Sequence, residues 1–110
     1  MGQAYIIVNT AKKQYIRPHR FGDGYKLCEF GASGGGTMFA LAALLARGNG
    51  GGGGDIRSKD PLIGSWAGDP IMVLGQYTDE YGSIREGCED ISDRIRGVLV
   101  AAGEEVGTPL

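Results

Sequence analysis

Three short stretches combine residue types that could do chemistry. The first is Ser33-Gly34-Gly35-Gly36-Thr37, which runs into the apolar segment Met38 to Ala46. A helix starting there would present unpaired N–H groups and a partial positive charge, and the glycines would let an anion approach the backbone. Ala32-Ser33-Gly34-Gly35 also echoes the glycine turn of dinucleotide-binding enzymes. However, no parallel βαβ unit surrounds it, and no Lys follows as in a P-loop. A plain loop entering a helix is the simpler reading. The second stretch is Arg17-Pro18-His19-Arg20, with Lys12, Lys13 and Lys26 close by. It could meet an acidic partner or a phosphate, or it could be the solvated face of a hairpin. The third is Gly64-Ser65-Trp66-Ala67-Gly68-Asp69-Pro70. A Trp flanked by glycines could be a stacking platform for a flat ligand, although a lone Trp in a hairpin is commonly a core residue. Asp69 suits a turn.

Catalysis draws little support from these residues. The acids Asp23, Asp55, Asp60, Asp79 and Glu80 show no diagnostic spacing for paired acid–base work. Ser33 resembles a nucleophile elbow but lacks the buried strand that precedes one, and His19 is the sole histidine. One histidine and no CxxC leave no recognisable zinc site, and no cofactor is indicated. Cys28 and Cys88 are widely spaced in a chain with no export leader, so reduced thiols and a cytoplasmic location are expected.

The elements that would position these residues follow from local pattern. Residues 4–8 are β-branched and aromatic, and residues 14–17 read as a returning strand ended by Pro18. Residues 38–46 predict a helix with Thr37 as N-cap, apolar almost all round and so buried on more than one side. Residues 48–54 form a low-complexity glycine-rich loop, expected to be a flexible connector. Residues 62–66 and 71–77 read as a second hairpin, and 78–88 as irregular. Asp90 would cap a last helix, whose stripe is Ile91, Ile95, Val98, Leu99 and Ala102. The expected architecture is a single α+β domain over 1–110, in ββαββα order. It would have a mostly antiparallel four-stranded sheet and two helices.

Composition bounds the rest. With 110 residues and a net charge of −2, nothing draws the chain broadly to nucleic acid, and no apolar run is long enough to span a bilayer. Glycine is heavily over-used, at 21 residues, so bare backbone is either loop or surface.

Tyr5-Ile6-Ile7-Val8-Asn9, the stretch Lys13 to Gly22, Lys26-Leu27, Gly64-Ser65-Trp66-Ala67-Gly68-Asp69 and Glu89-Asp90-Ile91-Ser92 occur in this order. Together they resemble a family of small uncharacterised proteins of bacterial and phage or other mobile-element genomes. The Gly-Ser-Trp-x-Gly-Asp string is the most specific part. Relatives often carry Asp where Gln76 stands. The resemblance implies one intact domain and a viral or mobile-element setting, and it carries no activity.

The residues themselves favour a non-enzymatic binding module for a small anionic, nucleotide-like ligand or a host protein. Ser33, Gly34, Gly35, Gly36, Thr37, Trp66, Asp69, Arg17 and Arg20 are the candidate binding residues. A small hydrolase or transferase acting on a phosphorylated substrate, or a purely structural subunit, are the alternatives. The apolar helix 38–46 also predicts a homo-oligomer, with that helix or a neighbouring sheet edge at the interface.

Overall fold

A computed structural model of the chain describes residues 2–32 and 34–110. The apolar run after the N-terminus forms β1 (Tyr5–Asn9), which turns back into β2 (Gln14–Ile16). Pro18 ends β2 by opening a single 3-10 turn over Pro18–Phe21. A one-turn helix, α1 (Leu27–Phe30), precedes α2 (Thr37–Leu45). The chain returns to the sheet as β3 (Ile71–Gly75), crosses it as α3 (Tyr81–Gly87), adds the two-residue β4 (Glu89–Asp90) and ends in α4 (Ser92–Ala101).

The strand order is β3-β1-β2-β4. β1 pairs antiparallel with both β2 and β3, whereas β2 and β4 run parallel. The sheet is therefore mixed, not mostly antiparallel, and the described residues form four helices instead of two. Period-2 burial then divides the strands between two cores. Ile7 and Ile16 pack with Leu41 and Leu44 of α2 and with Ile95 and Leu99 of α4. Ile6, Val8, Tyr15 and Leu74 face the other way, where Tyr81 and Ile84 of α3 cover them. The domain is α+β, with helices on both faces of its sheet.

Two expectations about elements fail for identifiable reasons. Residues 62–66 form no strand: Gly64 has φ +77°, outside the β region, and the segment coils through successive turns. Residues 81–87 are helical although the sequence there is polar, because half-buried Tyr81 and Ile84 dock on the second sheet face. The stripe of α4 is as expected, with Ile91, Ile95 and Leu99 fully buried. No helix among the described residues is long and apolar enough to cross a membrane.

Candidate functional site

At the start of α2 the expected cap is displaced. Thr37 is the first helical residue and Gly36 holds the cap position, with no side-chain cap of its own. The orphan N–H groups are instead taken by Asp23, a buried carboxylate from the preceding turn. Its Oδ1 accepts from Gly35 N at 3.1 Å, and its Oδ2 accepts from Gly36 N at 3.2 Å and Thr37 N at 2.9 Å. The Thr37 hydroxyl also donates to Oδ2, at 2.6 Å. The cradle foreseen for a ligand anion thus holds an anion supplied by the chain itself. Glycine is required here for contact with that group: a Cβ on Gly35 would lie 2.6 Å from Asp23 Oδ1 and 2.8 Å from the Phe21 carbonyl. Gly34 is exposed at the loop surface, and Ser33 lies outside the described residues.

The basic stretch is likewise internally paired. The Arg17 Nε donates to Asp90 Oδ2, and the Arg17 amide donates to the Ser92 hydroxyl at 2.8 Å. Arg20 Nε donates to Asp93 Oδ1 at 2.8 Å. These contacts tie the end of β2 and the 3-10 turn to the start of α4. Burial pushes the Asp90 carboxyl upward, but hydrogen bonds from Ser92 and the Arg17 guanidinium outweigh it and hold the group below the usual aspartate range. The four groups therefore neutralise one another across the fold, leaving no open cationic face built from Arg17 and Arg20.

The Gly64 to Asp69 string has a third internal role. Gly64 N donates to the Ala43 carbonyl at 2.9 Å and Trp66 N to the Leu44 carbonyl at 2.8 Å. Both carbonyls belong to the last turn of α2; that of Ala43 also accepts from Ala46 N at 3.4 Å. Trp66 is fully buried, and its indole N–H donates to Gln14 Oε1 at 2.8 Å. It is a core residue and offers no stacking platform. Asp69 Oδ2 accepts from Asn9 Nδ2 at 2.9 Å and from Lys12 Nζ at 2.6 Å, and these bonds, Asn9 first, hold its carboxyl below the usual range.

The glycine run lines an open cavity of about 550 Å³, with Gly50, Gly52, Gly53, Gly54, Arg57 and Lys59 on its wall. Its base is tied locally: Gly50 N and Gly51 N donate to Asp55 Oδ2, and the Asn49 side chain bonds both the amide and the carbonyl of Ile56. Among the described residues no group of three His, Cys, Asp or Glu side chains could hold a metal ion. Neither Cys28 nor Cys88 is in a disulfide.

The outer edge of β3 remains open. Gln76 N donates to the Ala4 carbonyl, and Thr10 N to the Pro70 carbonyl. The alternation of an antiparallel ladder then turns the backbone of Met72 and Leu74 toward β1, and that of Ile71, Val73 and Gly75 away from it. The Gly75 carbonyl accepts from Thr78 N and Oγ1. No described residue bonds the outward N–H and C=O groups of Ile71 and Val73. Their side chains are also exposed, Val73 at 46%. Residues 70–78 carry no charge, and the missing N–H of Pro70 is on the β1 side, so neither device guards the edge. The opposite edge is guarded, being only Glu89–Asp90, with Arg94 paired to Glu89. The sequence pattern places a strand at 71–77 but carries no signal for which of its edges is left open.

Comparison with protein-family models, with curated proteins and with solved structures gives no match to this chain.

Proposed function

We propose that this chain is a cytoplasmic, non-enzymatic binding module that engages another polypeptide by adding a strand to the free edge of β3. One observation carries the reading: β3 presents outward backbone donors and acceptors beside exposed Ile71 and Val73, with no charge from 70 to 78. Main-chain hydrogen bonds give affinity in such complexes, and side chains on alternate positions give selectivity. The residues first considered for an anionic ligand support this reading by default, since Asp23, Asp90 and Asp93 already satisfy the groups that would have bound it. A hydrolase or transferase would need a general base or nucleophile in a cleft, and His19 instead stacks on Tyr25, with ring centroids 3.5 Å apart. The free thiols of Cys28 and Cys88 support the cytoplasmic placement.

A peptide array tests the reading. It should contain extended nonapeptides of alternating Val and Ile, and matched peptides carrying Pro at alternate positions. The protein is expected to retain the first set and to ignore the second. Val73→Pro should weaken retention at least tenfold while preserving the buried emission of Trp66, because the outward N–H of Val73 makes no ladder bond. Retention indifferent to Val73→Pro, or no retention of any extended peptide, would overturn the reading.

A further inference from the structure

We infer that the polypeptide added to β3 is a short apolar segment, antiparallel to β3 and preceded by Lys or Arg, the basic residues being selected by Asp79 and Glu80; this rests on the strand-addition reading above. The open stretch of the edge is brief. It consists of the outward N–H and C=O groups of Ile71 and Val73. It stops at buried Gly75, whose carbonyl accepts from Thr78 N and Oγ1 and whose side-chain space is filled by Gln3 and Tyr5. An antiparallel segment exchanges both backbone bonds with Val73 and both with Ile71, and spans the residue between them. Its outer two side chains lie beside exposed Val73 and Ile71, and its middle one beside half-buried Met72 on the α3 side. All of these positions therefore favour apolar residues.

Charge decides what precedes that triplet. Because the Gly75 carbonyl points away from β1, Thr78, which donates to it, stands on the outer side of the strand. Asp79 and Glu80 follow Thr78 directly and are exposed, and no described residue forms an ion pair with either carboxylate. At the other end of the edge Asp69 is paired with Lys12, and Arg47 turns to the Ala67 carbonyl. The uncompensated negative charge thus stands at the C-terminal end of β3. An antiparallel partner passes that end with its N-terminal side. A Lys or Arg two or three residues before the one paired with Val73, about 7–10 Å along the strand, comes level with the Thr78 turn and extends a cation toward the acids. An acidic residue there meets like charge. Asp79 and Glu80 also precede α3, where negative charge suits a helix N-terminus, so a loss of stability alone does not report this selection.

Fluorescence anisotropy at low ionic strength with labelled peptides tests the inference. Each peptide carries Val-Ile-Val among serines, with Lys-Lys before it, Glu-Glu before it, or Lys-Lys after it. The peptide with leading lysines is expected to bind at least about threefold tighter than either of the others, the scale of two exposed charge pairs. Asp79→Asn together with Glu80→Gln should bring the affinities within about twofold of one another. Val73→Pro should weaken every peptide at least about tenfold, as a proline cannot donate the outward bond. Circular dichroism and Trp66 emission confirm folding of the variants. Equal affinities in the wild type, a preference that survives the Asp79 and Glu80 changes, or tighter binding of the peptide with trailing lysines overturns the inference. If binding still depends on Val73 in those cases, strand addition itself stands. Binding of no peptide, or binding indifferent to Val73→Pro, removes both.

Discussion

Asp23 is the residue on which the N-terminal half turns. Hydrogen bonds from three successive amides and the Thr37 hydroxyl converge on its carboxylate. Asp23→Ala would leave these donors buried without their acceptor. A loss of about 3 kcal/mol of stability is expected, from the worth of a helix cap together with charge-assisted bonds. Urea unfolding followed by Trp66 emission measures it. Inorganic phosphate should leave the wild-type melting temperature unchanged, since its cradle is filled. Asp90 and Asp69 make a pH prediction of definite sign. Both titrate lower in the folded protein than the ordinary value of about 3.9. Their contribution is therefore full above about pH 4 and is lost as pH falls through the lower folded values. Urea unfolding at pH 5 and pH 3 should show a drop in stability that is shallower in the double variant Asp69→Asn, Asp90→Asn. An equal drop in both proteins would show that other groups carry the acid response.

Among the elements, α2 shows how a motif can look like a site and be a joint. Gly64 closes the C-terminal end of this helix with φ +77°, and a Cβ there would collide with the Ala46 carbonyl. Gly64→Ala should cost about 2 kcal/mol or more, from the left-handed backbone alone before the clash is added. The glycine run should behave oppositely. Cβ positions on Gly52 and Gly53 meet nothing, so deleting both residues should cost under about 1 kcal/mol by slow loop-length scaling. Asn49→Ala, which removes the clamp on Ile56, should cost more than the deletion in the same chemical denaturation series. The first hairpin, α2 and the stripe of α4 were legible because each rests on local periodicity and punctuation. The false strand at 62–66 was not, because its apolar residues serve tertiary closure of α2 and its glycine breaks the extended path. α3 was hidden for a similar reason: its two core contacts are too few to write a helical stripe. The same limit applied to Asp23, to Asp93 and to the Arg17 contact of Asp90, whose partners lie 12 or more residues away; only the bond from Ser92 N to Asp90, two residues apart, fits the local pattern that marked Asp90 as a cap.

For the molecule as a whole, the conspicuous residues are turned inward and the plain ones face outward. Arg17, Arg20, Trp66, Asp69 and the glycines before α2 connect elements to one another, while uncharged β3 is left with an open backbone edge. The apolar character of α2, from which a homo-oligomer was expected, is used within its own domain, where Ala40, Leu41, Ala43 and Leu44 are buried. Residue-resolved amide hydrogen exchange of the full chain tests the edge most directly. In dilute protein, Ile71 and Val73 should exchange orders of magnitude faster than Met72 and Leu74, whose amides bond to β1. With a retained extended peptide, Val73 should become protected while Met72 and Leu74 stay unchanged. Protection of Val73 in dilute protein without peptide, equal to that of its neighbours, would mean the edge is already covered by the chain itself and would contradict strand addition at β3.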